Sequence, residues 1–202
     1  MNYINIIDDF VYRLVISLMS TRVTAIMKFV SFIGSATTLI TLSITFLLLL
    51  KNKRTASLIL LNLTTVFLIN RVLKIIIKRP RPSVLRLAVE NGYSFPSGHA
   101  MVATGFYGFL IYLVLKNIKK SKTKYPLAIF LVLLILSIGV SRIYLGVHYF
   151  TDIFGGIVIG SIYLVLFIKY IFNRNNRKLI DDGGKNAEYI YNKEYNNLSI
   201  DN

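Results

Sequence analysis

The sequence predicts an all-α integral membrane protein, a bundle of five transmembrane helices with a sixth left open, preceded by an N-terminal interfacial helical segment. Three observations predict it. Of 202 residues, 54% are hydrophobic and only 16% charged, with a mean hydropathy of +0.59, whereas a soluble domain is roughly 25% charged. Between Phe10 and Ile180 the only acidic residues are Glu90 and Asp152. The basic residues collect in short loops between apolar runs, the pattern of membrane topology and anionic-lipid contact.

A spanning helix needs about 20 mostly apolar residues. The first 32 residues fit poorly, because Arg13, Arg22 and Lys28 point to different sides of a helix. Charges on several faces oppose a lipid-exposed span, so this segment reads as short interfacial helices broken near Ser20-Thr21. It is too charged for a signal-peptide core. The five spans are residues 35–50, with a start one or two turns earlier left open, 55–77, 99–115, 125–140 and 152–172, the second carrying Asn62, Asn70, Arg71 and Lys74. Residues 33–178 form the membrane domain, and the polar, Asn-rich residues 179–202 read as a disordered tail.

Basic clusters at 51–54, 116–124 and 174–178 all fall on one side of alternating spans. The positive-inside rule makes that side cytoplasmic, with the C-terminus. The opposite, extracytoplasmic side still carries Lys78, Arg79, Arg81, Arg86 and Arg142. Topology disfavours cations there, and an anionic ligand gives them a reason to exist.

Several classes are excluded. Zero Cys removes disulfide scaffolds, thiol nucleophiles and Cys-ligated metals. A net charge of +15 and a pI near 10.0 raise nucleic acid, but no aromatic and basic residues interleave on a polar surface. The lack of an internal repeat and of an inverted pair of broken helices weakens a lipid or anion transporter without excluding it.

Three constellations stand at the extracytoplasmic ends of the spans. Lys74 is followed, six residues on, by Arg81-Pro82; Lys74, Lys78 and Arg81 would share a helix face if the turn continued, before the prolines stop it. Pro96-Ser97-Gly98-His99 opens the third span, with Ser97 as N-cap and free amides at the positive dipole end. Ser141-Arg142, then His148, then Asp152 bridge the last two spans, His148 and Asp152 being four apart. Each has a bland reading: snorkelling cations, an ordinary helix start, an interfacial His–Asp pair. Their convergence on one side, with both histidines of the chain, favours a site.

These residues resemble the type 2 phosphatidic acid phosphatase superfamily, whose signature is Lys, six residues, Arg-Pro; Pro-Ser-Gly-His; and Ser-Arg, five residues, His, three residues, Asp. The chain matches every position from Lys74 to Asp152. The layout is similar to the short bacterial undecaprenyl-diphosphate phosphatases and to phosphatidylglycerophosphatases. The resemblance implies a hydrolase with no cofactor and no metal. His148 would attack phosphorus, Asp152 would orient it and His99 would serve the leaving oxygen as acid and then water as base. Lys74, Arg81, Ser97, Gly98 and Arg142 would hold the phosphate, where charge neutralisation and positioning dominate.

The implied partners are a lipid phosphate substrate and membrane lipids, with no nucleic acid and no obligate protein partner. The leading substrate is undecaprenyl diphosphate, recycled on the outer face. Phosphatidylglycerophosphate and phosphatidic acid are the alternatives, and a lipid phosphotransferase would share the first half-reaction. Abundant Ile, Lys and Asn point to an AT-rich bacterial genome.

Overall fold

The computed structural model describes residues 3–83 and 86–171. The expected basic cluster at 174–178 and the tail from 179 lie outside the described residues. The chain divides into two compact units, Met1–Leu164 and Val165–Asn202. Among the described residues, the second unit comprises only the last turns of its helix.

Among the described residues the regular elements are all helices: α1 (Tyr3–Ile16), α2 (Thr21–Ile33), α3 (Ala36–Leu49), α4 (Lys53–Ile77), α5 (Gly98–Asn117) and α6 (Ser121–Tyr144), then α7 (Phe150–Ile171). Helices α4, α5, α6 and α7 are each long and apolar enough to cross a membrane, and the pair α2 and α3 makes a fifth if counted as one bent span. The protein is a multi-pass membrane protein.

The expected first span needs a correction. Helix α3 has 14 residues, about 21 Å at 1.5 Å per residue, short of a bilayer core near 30 Å. It is joined to α2 across a break at an angle of 47°. The break has local causes. Ser35 caps α3 by accepting the Thr38 amide, while Tyr107 Oη donates to the Ile33 carbonyl at 3.0 Å, satisfying the end of α2. A Cβ on Gly34 would come within 2.5 Å of Ile138 Cγ2, so the bend sits tightly against α6. The expected break near Ser20-Thr21 is present, with Ser20 capping α2. Tyr144 Oη, from the end of α6, lies 2.9 Å from Thr24 Oγ1 and accepts the Ser20 amide at 3.2 Å. Both ends of α2 are thereby tied to the central helices.

Helix α5 is central, packing on α4 and α6, with Ala100, Met101, Ala103 and Phe106 fully or almost fully buried. Against α7 it packs backbone to backbone. A Cβ on Gly156 would meet the Ser97 carbonyl at 3.1 Å, and one on Gly160 the Met101 carbonyl at 2.8 Å. Small residues four apart are the usual means of close helix approach in a membrane. This contact fixes the start of α5 beside the start of α7, and the Ser97 amide donates to the Asp152 carbonyl at 3.1 Å.

Candidate active site

The end of α4, the starts of α5 and α7 and the end of α6 converge with the 78–97 loop. A cavity of about 600 Å³ opens there, lined by Lys74, Arg81, Gly98, His99 and His148, with Asn70, Arg71, Glu90 and Tyr93 among its other walls. Five of the eight expected site residues therefore share one space. Ser97, Arg142 and Asp152 stand behind them, each at most 2% exposed.

One expectation fails locally. Helix α4 does not continue through Lys78 to Arg81. It ends at Ile77, and Lys78 takes the left-handed conformation with φ 51°. Pro80 and Pro82 exclude a further helical turn. Arg81 reaches the cavity from the loop instead, and exposed Lys78 does not line it.

His148 is positioned from both ring nitrogens. Its Nδ1 lies 3.4 Å from Asp152 Oδ2 and 3.4 Å from Ser94 Oγ, and its Nε2 lies 3.2 Å from Arg81 Nη1. A guanidinium can only donate, so Nε2 accepts, and the ring proton sits on Nδ1 facing Asp152. This tautomer turns the single Nε2 lone pair to the cavity wall, where Arg81 Nη1 occupies it. Burial, assisted by the positive Arg81, pushes the imidazole pKa down to about 4 against the opposing hydrogen bond to Asp152. The ring is thus neutral through the physiological range.

Asp152 is fully buried and saturated. It accepts from the Tyr149 amide at 2.9 Å, from Arg79 Nη1 at 2.7 Å and from Ser94 Oγ in a very short bond. A buried carboxylate needs such partners to stay charged. Arg79 also donates Nη2 to Asp8 Oδ2 at 2.7 Å, and Asp8 accepts from both the amide and the hydroxyl of Thr151.

The cations are held as follows. Lys74 Nζ donates to the Tyr93 and Ser94 carbonyls at 2.6 and 3.1 Å. Arg81 donates to the carbonyls of Asn91, Gly92 and Val147. Arg142 donates to Ser31 Oγ and makes a very short ion pair with Glu90. At the start of α5, Ser97 Oγ accepts the Ala100 amide. The Gly98 and His99 amides precede the first intrahelical bond and are free to meet an anion. A Cβ at Gly98 would press on Asn70 Oδ1 at 3.2 Å, so a larger residue there would have to shift the Asn70 amide.

Asp8, Ser31, Arg79, Glu90 and Ser94 are the participants that sequence reasoning missed. Asp8 and Glu90 carried a signal, as two of the few acidic residues before the tail. Ser31 and Ser94 carried none.

Such an array of cations and helix amides around a buried His–Asp pair, at the ends of membrane-length helices, is chemically suited to a phosphate ester. Residues 54–176 match the PAP2 superfamily, and the chain belongs to that superfamily. It is 40% identical over 100 residues to phosphatidylglycerophosphatase B of Bacillus subtilis, a match covering 49% of each chain. It is 36% identical over 99 residues to a dihydrosphingosine 1-phosphate phosphatase of Schizosaccharomyces pombe, covering 46% of this chain and 24% of that one. The matches thus span half or less of these relatives' own length. Among solved structures, the fold is similar to a transmembrane PAP2 type phosphatidylglycerolphosphate phosphatase from Bacillus subtilis. That likeness has a TM-score of 0.78 at 29% identity and covers 86% of this chain and 88% of the other. It is also similar to LpxE of Aquifex aeolicus, with TM-score 0.64 at 26% identity, covering 79% of this chain and 93% of that one.

Proposed function

We propose that this protein is a metal-independent membrane lipid phosphate phosphatase working through a phosphohistidine, with its site on the extracytoplasmic face. The observation that carries the reading is the His148 ring, with its proton directed at Asp152 and its Nε2 lone pair at the cavity. In the first step Arg81 gives up Nε2 for a phosphoryl oxygen, Nε2 attacks phosphorus and the bond to the lipid oxygen breaks. His99 gives that oxygen a proton, while Asp152 stabilises the charged imidazole. In the second step His99 takes a proton from water, the water oxygen bonds to phosphorus and the N–P bond breaks. Lys74, Arg81 and the Gly98 amide neutralise the phosphoryl oxygens throughout, supported from behind by Ser97 and Arg142.

The relatives' names favour a phosphatidylglycerophosphate-type monoester as substrate. A polyprenyl diphosphate is the second reading, favoured by an additional cation on the cavity wall. The test is phosphate release in detergent, with EDTA present, from undecaprenyl diphosphate, phosphatidylglycerophosphate and phosphatidic acid. Release should be lost in His148→Ala, and a denaturing quench at alkaline pH, where the N–P bond survives, should trap label on His148. Strict Mg²⁺ dependence, or full activity of His148→Ala, would overturn the mechanism. Transfer of the phosphoryl group to an added lipid acceptor in preference to water would make the protein a phosphotransferase.

A further inference from the structure

Arg71 lines the cavity and has no task in the hydrolysis just described. It lies on α4 one turn before Lys74. Among the described residues it makes no hydrogen bond or ion pair; its guanidinium sits 5.1 Å from the Phe67 ring centroid. The other cations here are engaged: Lys74 and Arg81 by loop carbonyls, Arg142 by Ser31 and Glu90. Arg71 alone among these four keeps its fork of donors for a ligand.

Its direction matters as much as its freedom. An arginine near the end of a span ordinarily snorkels towards the nearer membrane surface. Phe67 lies one turn in the opposite direction, so the Arg71 guanidinium is drawn back along α4, away from the Ile77 end. An intramembrane charge kept on a cavity wall rather than sent to the interface has a ligand or a wet pathway as its reason.

We infer that Arg71 forms a subsite for the second, tail-proximal phosphoryl group of a lipid diphosphate. This rests on the reading of the cavity as a phosphate site. Three residues along α4 place Arg71 about 4.5 Å further into the span than Lys74. A lipid whose terminal phosphate meets Lys74, Arg81 and His148 must run its tail towards the bilayer interior. In a diphosphate, the phosphate bonded to the tail then falls at the level of Arg71. A monoester places only an uncharged linkage there.

The experiment compares wild type, Arg71→Gln and Arg71→Lys on a polyprenyl diphosphate and the polyprenyl monophosphate of equal chain length. In Arg71→Gln the ratio of kcat/KM for diphosphate over monophosphate should fall about 10-fold, the loss of one charge-assisted hydrogen bond. Arg71→Lys should recover part of it, and supplies the same comparison should the glutamine variant not fold. An unaltered ratio overturns the subsite. Wild type that cleaves the monophosphate but not the diphosphate overturns it too, while leaving the phosphatase reading standing. Wild type that cleaves neither polyprenyl lipid but releases phosphate from phosphatidylglycerophosphate overturns the subsite and leaves the phosphatase reading standing; wild type that cleaves none of the three sinks that reading instead, and calorimetry with inorganic pyrophosphate and phosphate then decides. Tighter pyrophosphate binding, lost in Arg71→Gln, supports a diphosphate subsite for a soluble ligand; equal binding of both anions removes it.

Discussion

Asp8 and Asp152, from the first and last helices, share one guanidinium. Arg79 reaches Asp8 Oδ2 through Nη2 and Asp152 Oδ1 through Nη1, each at 2.7 Å, and its head lies 4.2 Å from the Tyr149 ring centroid. The N-terminal helix is thereby anchored to the carboxylate that sets the His148 tautomer. Asp8 also holds the Thr151 amide and hydroxyl at the start of α7, so its influence on Asp152 runs by two routes.

Arg79→Ala should therefore lower kcat by about 10- to 100-fold, with KM little changed. It removes a charge-assisted bond worth about 1.5–3 kcal/mol from a group behind the substrate. Asp8→Asn should act in the same direction with smaller effect. Steady-state kinetics of detergent-solubilised variants checks this; a rise in KM with kcat intact would mean that Arg79 binds substrate directly.

Lys78→Ala should change kcat/KM less than about 3-fold, whereas Arg81→Ala should lose at least about 100-fold, given several charge-assisted bonds at one side chain. Lys78 is an exposed helix terminator, and Arg81 touches His148. Equal losses from both substitutions would contradict the placement of Arg81.

The acid side of the kcat/KM profile should follow His148. With its pKa near 4 rather than the ordinary value near 6.5, activity should persist to about pH 5 and fall as pH approaches 4. Arg81→Gln removes a positive neighbour, so the residual activity should fall off at higher pH. The same group affects stability. Between about 4 and 6.5 the unfolded chain binds the proton that the folded site refuses, so His148 costs stability progressively as pH drops through that window. A thermal-shift series across it should show Tm falling less steeply in His148→Gln.

Gly160→Leu should disrupt the bundle and activity together, because its side chain must displace the Met101 carbonyl. Overpacking of this kind costs about 1–3 kcal/mol or more. Thermal unfolding in detergent, compared with Leu at the exposed neighbour Ser161, separates backbone crowding from the effect of added apolar volume. A Gly160→Leu protein as stable as wild type would disprove the close α5–α7 contact.

The spans were legible because a bilayer demands long apolar runs, and α4, α5, α6 and α7 each supply one. The break at Gly34-Ser35 was not. Residues 35–50 contain no charge, Gly or Pro, and their Ser and Thr recur along the run, so nothing in it singles out Ser35 as a cap or shows that the preceding helix is tied off by Tyr107. The eight motif residues were legible by type and spacing, since a phosphate site needs cations, a capped helix start and a His–Asp pair at fixed separations. Which of them face the cavity was not legible. That depends on α4 ending at Lys78, which removes Lys78 from the helix face expected for it and brings Arg81 in from the loop.

The sequence by itself determined a multi-pass helical membrane protein with its histidines, cations and Asp152 at one end of its spans, because hydropathy and local spacing are properties of contiguous residues. Only the tertiary structure decided that Asp8, Ser31 and Glu90 partner Arg79 and Arg142. It likewise decided that Ser97, Arg142 and Asp152 stand behind the cavity, and that Arg71 lines it with no ion pair among the described residues. Those outcomes depend on helices meeting across long sequence separations, where buried charges must find whichever partners the packing brings within reach.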